Sequence, residues 1–244
     1  MTNEFYSPDE KRALKVKELF ARIAPRYDLV NHVQSFGLHL LWKRKVVDLA
    51  QVRTGESAID VCCGTGDLAF ALARKGAKVV GLDFTPAMLD VAETRSRRAT
   101  ERTGDPVRFI CGDAMQIPFP ENSFEIVTVG YGLRNLSSWE TGLRELQRVA
   151  RPGGRLLVLE FGKPDNAAWR TLYFTYLKMV LPVFGLLFCG SAAAYAYIFE
   201  SLMHYPSQKG VADKMLNLGL VNVRIVNFLG GIMSINYGEK APGK

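Results

Sequence analysis

The feature that most constrains the fold is an alternation of short apolar runs with longer amphipathic stretches. The runs occupy residues 58–62, 78–82, 107–110, 124–130 and 155–161. Helix-like patterns of about 10–15 residues lie between most of them, which is typical of βαβ units. Strands joined by such crossovers are parallel and buried on both faces. The sequence therefore predicts an α/β fold built on a parallel sheet.

The segments that flank this alternation are predicted to be mostly helical. Residues 11–50 follow a helical pattern that Pro25 and Gly37 divide into two or three segments. Residues 166–204 are rich in aromatic and aliphatic side chains. The pattern then predicts, in order, a helix at 207–218 and strands at 221–227 and 232–237. We expect one domain over 1–244, with an N-terminal helical cap (about 11–50) and a helical insertion (about 166–204).

Composition narrows the setting in which the protein works. Residues 172–190 are nearly apolar, but Lys178 and Pro182 interrupt them, so a packed helical insertion is favoured over a membrane span. The first 25 residues carry charge throughout and do not resemble a signal peptide. The four cysteines lack zinc-ligand spacing. We expect a cytoplasmic protein with reduced thiols and no metal.

Much of the formal net charge of +7 is spread along the chain, but there are two local clusters of basic residues, Lys43-Arg44-Lys45 and Arg95/Arg97/Arg98. Such clusters are typical of a solvated helix face, and also of attraction to an anionic membrane surface. No recognition module with interleaved aromatics is visible, so nucleic acid is not expected as a partner. Peripheral contact with the cytoplasmic membrane face and a homodimer both stay open.

A glycine loop follows the first apolar run. Gly64-Thr65-Gly66 would let a ligand approach the backbone closely, although Gly64-x-Gly66-x-x-Ala69 also matches a dinucleotide fingerprint. Charge separates the two readings, because Asp60 and Asp67 flank the loop and would repel a pyrophosphate. They suit a ligand that carries an ammonium and a sulfonium. S-adenosyl-L-methionine is such a ligand, and NAD is disfavoured.

Two further aspartates end the next two runs. Asp83 stands close to the spacing of about 20 residues at which a carboxylate meets ribose hydroxyls, although it could instead cap the following helix. Asp113, in Gly112-Asp113-Ala114, could accept from the adenine amino group or form an Asx turn. Three such elements at successive strand ends predict one nucleoside site. Met88 could pack on the adenine or belong to the core.

These residues resemble the ubiquinone/menaquinone-biosynthesis C-methyltransferases. The resemblance spans about residues 18–238 and is carried by Phe20-Ala21-Arg22-Ile23-Ala24-Pro25-Arg26-Tyr27-Asp28, Asn31, Ser35, Gly37, His39, Trp42-Lys43-Arg44, Cys63-Gly64-Thr65-Gly66-Asp67, Gly132-Leu133-Arg134-Asn135, Arg151-Pro152-Gly153-Gly154-Arg155-Leu156 and Glu160-Phe161. It implies a class I methyltransferase fold, a Rossmann-like seven-stranded sheet with the last strand antiparallel. It also implies methyl transfer from S-adenosyl-L-methionine to a ring carbon of a polyprenyl quinol, either demethylmenaquinol or the benzoquinol of the ubiquinone pathway.

The resemblance also assigns site residues. Cofactor contacts fall on Thr65, Asp83, Asp113 and Ala114, to which the loop residues Gly64, Gly66 and Asp60 are added. Three positions depart from the family pattern: Gly130 replaces a serine that contacts the cofactor, Asp113 an asparagine, and Tyr205 the commoner phenylalanine or histidine.

Ring methylation requires a phenolate, and a phenol with a pKa of about 10 is mostly protonated at neutral pH. We expect Arg134 to stabilise the phenolate as a permanent cation, with a structural salt bridge as the alternative. A base, if one is needed, is Asp28, His32, His39 or a water that they hold. Tyr27 and Asn135 could line the ring pocket or be core polar residues.

The insertion has an expected role in binding the isoprenoid tail. Its aromatic and aliphatic residues could form an apolar channel or face the bilayer: Tyr173, Phe174, Tyr176, Phe184, Leu187 and Phe188. A methyltransferase for another small molecule, or a binding module without activity, would share the same cofactor motifs.

Overall fold

A computed structural model describes residues 12–103, 107–189 and 192–243 of the chain. Its strands are β1 (Ser57–Val61), β2 (Lys78–Asp83), β3 (Arg108–Cys111), β4 (Phe124–Gly130), β5 (Ala150–Phe161), β6 (Leu220–Phe228) and β7 (Met233–Lys240). Its helices are α1 (Arg12–Ile23), α2 (Tyr27–Gln34), α3 (Leu38–Ala50), α4 (Asp67–Ala73), α5 (Pro86–Thr103), α6 (Trp139–Val149), α7 (Ala167–Met179), α8 (Leu181–Cys189), α9 (Ala192–His204) and α10 (Gln208–Asn217).

The seven strands form one sheet in the order β3-β2-β1-β4-β5-β7-β6. Strands β1 to β5 pair in parallel, and β7 runs antiparallel between β5 and β6. This confirms the expected α/β class and the antiparallel last strand. The strand order reverses between β1 and β4, which is where an open parallel sheet binds its ligands, beyond the carboxyl ends of the strands.

One predicted boundary was wrong. The fifth apolar run was predicted over residues 155–161, but β5 already begins at Ala150 and includes Pro152-Gly153-Gly154. The strand pairs Phe124 with Ala150 and then Ile126 with Arg155, so the intervening residues bulge out of the ladder. Gly153 has φ +75°, a conformation that glycine adopts without steric cost. Turn residues therefore serve here as a bulge inside a strand.

Helices cover both faces of the sheet and its carboxyl edge. Helices α3 and α4 contribute Trp42, Val46 and Leu72 to the core on one face, and α6 and α10 contribute Leu143 and Met215 on the other. A third apolar cluster joins α1, α7 and α9. In the described residues no helix has the length and apolar character needed to cross a bilayer. The single-domain assignment over 1–244 stays a prediction.

Candidate functional site

A cavity lies at the carboxyl ends of β1 to β4, and the empty space in it and at its opening to solvent is about 770 Å³. We call it the glycine-loop cavity. The predicted residues that line it are Gly64, Asp83, Asp113 and Ala114. Asp83 and Asp113 are its charged side chains, and no lysine or arginine is among the described residues of its wall. A cavity with this charge suits a cationic nucleoside and disfavours a pyrophosphate.

The carboxylate of Asp83 is held by backbone donors on both sides. Its Oδ2 accepts from the Gly64 N–H at 2.8 Å, and its Oδ1 accepts from the Thr85 N–H at 2.8 Å. Burial raises the pKa of Asp83, and these backbone hydrogen bonds oppose the shift. Each oxygen has further lone pairs, so the side chain can still accept two hydroxyl protons. Both earlier readings of Asp83 are compatible: it supports the turn into α5 and faces the cavity.

The residues predicted to contact adenine, Asp113 and Ala114, lie just after the third strand. Asp113 Oδ1 accepts from the Met115 N–H at 2.8 Å, so the Asx turn is present and occupies one of its two oxygens. Met88 is 1% exposed and lines the cavity, so it belongs both to the core and to the wall. Gly130 also lines the cavity, and a Cβ there would lie 2.8 Å from Leu68 Cδ1. Leu68 therefore fills the space that a side chain at position 130 would occupy.

Three predicted contacts do not line this cavity: Thr65, Gly66 and Asp60. The Thr65 hydroxyl instead donates to Asp28 Oδ1 at 2.6 Å. Asp60 is 1% exposed beneath the loop and accepts from Thr128 Oγ1 at 2.8 Å. Burial raises the pKa of Asp60 to about 7, and the hydrogen bond from Thr128 opposes this. Their predicted contact with the cofactor stays a prediction.

The charge argument made from the sequence fails at Asp67. Its oxygens pair with Lys43 Nζ at 2.7 Å and with Arg95 Nη2 at 2.6 Å. Burial raises the pKa of Asp67, but the two cations outweigh it and hold the pKa at about 2. Asp67 is therefore a neutralised carboxylate. Because Arg95 is paired with Asp67, its charge is already balanced and contributes little to the basic cluster that was considered as a membrane-facing surface.

A second, larger cavity adjoins the first, and the empty space in it and at its opening to solvent is about 1570 Å³. We call it the apolar cavity, because most of its wall is aliphatic or aromatic. Phe20, Tyr27 and Tyr131 line both cavities. Burial raises the pKa of Tyr27 to about 12, so its hydroxyl stays protonated at neutral pH. The shared wall means that molecules in the two cavities would be neighbours.

Arg134 lies in the wall of the apolar cavity and is paired. Its Nη1 donates to Glu160 Oε1 and, at 2.8 Å, to the carbonyl of Tyr131. Its guanidinium carbon lies 4.8 Å from the centre of the Phe161 ring. Burial would lower the pKa of Arg134, but Glu160 raises it, so the cation persists. The salt-bridge alternative is thus present, while Nε is buried with no hydrogen-bond partner in the described structure.

Of the three candidate bases, His39 alone lines either cavity. Its Nδ1 is 2.7 Å from Ser35 Oγ, and burial, together with Lys43, lowers its pKa to about 4. A group with that pKa is a weak base at neutral pH. Asp28 instead bonds to Thr65 and Arg95. The ring of His32 packs against Gly37, since a Cβ on residue 37 would lie 3.2 Å from that ring.

The insertion contributes to the apolar cavity as expected, although not with every residue. Tyr173 and Tyr176 line it, whereas Phe174 packs against Tyr173 and Phe199 outside the lining. Phe184, Leu187 and Phe188 were also predicted to line it, but their side chains are outside the part of the chain that the structure describes. Asn135 lines the glycine-loop cavity and accepts from the Tyr197 hydroxyl at 3.2 Å.

Sequence reasoning missed two residues of this site. Glu160, the partner of Arg134, stands in the fifth apolar run, and a carboxylate in such a run indicates a buried pair. Tyr131 lies between Gly130 and Gly132 at the end of β4 and has φ +61°. A non-glycine residue with this φ is uncommon and is concentrated at functional sites. The flanking glycines were the signal of close packing at this turn, since a Cβ at 130 would crowd Leu68 and a Cβ at 132 would crowd Cys62.

The seven-stranded sheet, with a cavity beyond the carboxyl ends of its parallel strands, has the class I methyltransferase fold. A SAM-dependent methyltransferase from Thermotoga maritima superposes with a TM-score of 0.66 over 92% of this chain and 99% of that one, at 16% identity. The [4+2]-cyclase SpnF superposes with a TM-score of 0.64 at 19% identity, over 95% and 97% of the two chains. Likeness at this level shows the fold alone.

The family follows from the sequence comparisons. The model of the ubiE/COQ5 methyltransferase family matches residues 8–240, so the chain belongs to that family. The demethylmenaquinone methyltransferase of Thermus thermophilus is 42% identical over 225 residues, 91% of this chain and all of that protein. The ubiquinone/menaquinone biosynthesis C-methyltransferase UbiE of Cellvibrio japonicus is 39% identical over 236 residues, 96% of this chain and 94% of that protein.

Proposed function

We propose that this enzyme transfers a methyl group from S-adenosyl-L-methionine to a ring carbon of a polyprenyl quinol. Demethylmenaquinol is the first candidate substrate, and the benzoquinol of the ubiquinone pathway is the second. The observation that carries this is the shared wall of Phe20, Tyr27 and Tyr131, which joins an acidic cavity to a larger apolar one. The names of the relatives support a quinone substrate.

The glycine-loop cavity fits the cofactor. Asp83 would accept from the ribose hydroxyls, and Asp113 with the Ala114 backbone would meet the adenine. Gly64 allows close approach of the backbone. Thr65, Gly66 and Asp60 complete the proposed cofactor site from within the loop and beneath it. When bound, S-adenosyl-L-methionine supplies a methyl group on a sulfonium sulfur, which keeps the electron pair of the broken bond as the ring carbon takes the methyl.

The apolar cavity fits a prenylated ring. The residues that line it would exclude water and hold the ring against the shared wall. Alignment of this kind contributes on the order of 7–11 kcal/mol to such reactions. Arg134 would donate from Nε to the ring oxygen beside the methylated carbon and favour its ionised form. Glu160 already balances the charge of the guanidinium. Arg134 would therefore stabilise the ionised ring oxygen mainly through a directed hydrogen bond, and less through its net positive charge. The ring carbon's proton would leave to water after transfer.

Turnover of defined quinols tests the proposal. Purified protein is incubated with methyl-labelled S-adenosyl-L-methionine and reduced, short-tailed naphthoquinol or benzoquinol, and the product is identified by mass spectrometry. We expect label on a ring carbon of one or both quinols. A small catechol without a tail serves as the control for a general methyltransferase. Binding of S-adenosylhomocysteine without methylation of either quinol would contradict the proposal.

Contact with an anionic membrane is the second part of the proposal. Phe36, at the turn between α2 and α3, is 83% exposed and lines the mouth of the apolar cavity. Leu40 and Leu41 on α3 are also exposed, and the basic Arg44 and Lys45 follow one turn later. An exposed apolar lip beside basic side chains matches the pattern of interfacial helices. A polyprenyl tail would then enter the cavity directly from lipid.

A further inference from the structure

Several polar atoms in the wall of the apolar cavity lack hydrogen-bond partners. They are Gln34 Oε1, Tyr131 Oη, Arg134 Nε and Tyr173 Oη, all buried and all without a partner within the described parts of the chain. Buried polar groups are normally paired, because an unpaired one loses the hydrogen bonds that water gave it. Their concentration in one cavity indicates that a ligand with its own polar atoms completes them.

Tyr131 is fixed in position at the end of β4. Its carbonyl accepts from Arg134 Nη1 at 2.8 Å and from Asn135 Nδ2 at 3.0 Å. Its ring centre lies 5.6 Å from that of Phe161. The residue keeps φ +61° under these constraints. These contacts hold the Tyr131 ring, and with it the hydroxyl, in one position in the wall that both cavities share.

Tyr173 carries the second buried, unpartnered tyrosine hydroxyl among the described residues in the wall of the apolar cavity. It lies on α7, is 5% exposed, and lines the apolar cavity without reaching the glycine-loop cavity. Its ring centre is 5.6 Å from that of Phe174. Burial raises the pKa of both Tyr131 and Tyr173 well above the usual value, so both hydroxyls remain donors at neutral pH. One donor is thus adjacent to the cofactor side and the other is remote from it.

We propose that Tyr131 and Tyr173 bind the two ring oxygens of the quinol and thereby select the carbon that is methylated. Tyr131 donates to the oxygen beside the reacting carbon, and Tyr173 donates to the oxygen on the opposite side of the ring. This rests on the proposed function. An apolar wall alone would hold the ring in several rotations, whereas two placed donors fix one of them.

Two conservative variants test the assignment, Tyr131→Phe and Tyr173→Phe, with Tyr205→Phe as the matched control. Tyr205 also carries a buried hydroxyl without a partner within the described parts of the chain, but it lines neither cavity. Each test variant loses one hydrogen bond to substrate, so we expect kcat/KM for the quinol to fall roughly 3- to 10-fold. The control should keep the wild-type value, and affinity for S-adenosylhomocysteine should be unchanged in all three.

A substrate analogue sharpens the test. In a tailed naphthol that lacks the oxygen remote from the reacting carbon, Tyr173→Phe should have no effect while Tyr131→Phe keeps its effect. Thermal stability gives an independent readout. A hydroxyl with a structural role would lower the Tm when removed, whereas removal of an unpartnered hydroxyl should leave the Tm unchanged or raise it.

The outcomes separate this inference from the proposed function. Wild-type turnover of a quinol with undiminished kcat/KM in both test variants would overturn the inference alone. An equal loss in Tyr173→Phe on the quinol and on the analogue would overturn the role of Tyr173. A wild-type protein that binds S-adenosylhomocysteine and methylates no quinol would overturn both.

Discussion

The Thr65 hydroxyl in the glycine loop donates to Asp28 Oδ1 on α2 at 2.6 Å. Arg95 on α5 reinforces this link, since it donates to Asp28 Oδ2, to Asp67 Oδ1 and to the Thr65 carbonyl. Lys43 on α3 completes the network at Asp67. The N-terminal helices are thus fastened to the loop that would hold the cofactor. Tyr27, which precedes Asp28, is in the shared wall of the two cavities.

The first prediction concerns this network. Arg95→Gln removes a cation that bridges two carboxylates, so we expect the free energy of unfolding to fall by about 1–2 kcal/mol. We also expect weaker binding of S-adenosylhomocysteine, because the loop loses its tie to α2. Urea denaturation and titration calorimetry measure the two effects. Arg97→Gln is the control, since the Arg97 side chain is 81% exposed. Equal behaviour of the two variants would contradict the structural role of Arg95.

Asp83 gives a prediction about the cofactor alone. Asp83→Asn removes the charge and replaces one acceptor oxygen with a donor, so affinity for S-adenosylhomocysteine should fall roughly 10- to 100-fold. Calorimetric titration measures this, with thermal unfolding as a check because Asp83 also holds the Gly64 and Thr85 N–H groups. The exposed Asp90→Asn is the matched control. Unchanged affinity in a folded Asp83→Asn protein would remove Asp83 from the cofactor site.

Gly66 and Gly55 form a natural pair for separating strain from crowding. Both have positive φ, +87° and +89°, but a Cβ at 66 would lie 2.8 Å from the ring of Phe70 and 2.9 Å from that of Phe109. A Cβ at 55 would meet nothing within 4 Å. We expect Gly55→Ala to cost about 1 kcal/mol and Gly66→Ala to cost roughly 2 kcal/mol more. Denaturant titration measures both costs. Equal costs would show that the rings of Phe70 and Phe109 can move aside without a penalty.

Asp60 predicts a pH dependence of stability. Its pKa is raised from 3.8 to about 7 in the folded protein, so the folded state binds a proton that the unfolded state releases above pH 4. The stability due to the protonated form is complete below about pH 4 and is lost as the pH rises through 7. The stability of Asp60→Asn relative to wild type should therefore increase by about 4 kcal/mol between pH 4 and pH 8. The exposed Asp48→Asn is the matched control. A flat difference for Asp60→Asn would refute the shift.

The exposed lip at the apolar cavity predicts how the protein binds vesicles. Phe36→Ser and Leu40→Ser should each weaken co-sedimentation with phosphatidylglycerol vesicles by about tenfold, because each removes a large side chain from the interface. Added salt should weaken wild-type binding as well. The control is Leu216→Ser on α10, where the leucine is 55% exposed and lines neither cavity. Wild-type protein that stays in solution at low salt would end the membrane proposal.

Much of the cofactor side could be predicted from the sequence. Parallel strands bring their carboxyl ends to one edge, so residues that follow successive strands converge whatever the details of packing. Gly64, Asp83, Asp113 and Ala114 accordingly line one cavity. The reasoning from charge was less sound, because Asp67 is neutralised by Lys43 and Arg95 of other helices. The absence of basic side chains from the described cavity wall carries that argument instead.

The substrate side was less accessible to sequence reasoning. Arg134 was singled out, but its pairing with Glu160 was not, and neither was the place of Tyr131 in both cavity walls. No order among the candidate bases could be predicted from the sequence, whereas burial beside Lys43 lowers the pKa of His39 to about 4. Such facts depend on which side chains meet across the fold.

The sequence by itself determined the strand and helix alternation, the glycine loop and the acidic strand ends, because these depend on local periodicity and on the rule that parallel strands end together. The tertiary structure alone decided that Thr65 meets Asp28, that Arg134 meets Glu160, and that Tyr131 joins two cavities. Those contacts link residues far apart in the chain, and their geometry follows from how helices pack on the sheet edge, which no local pattern encodes.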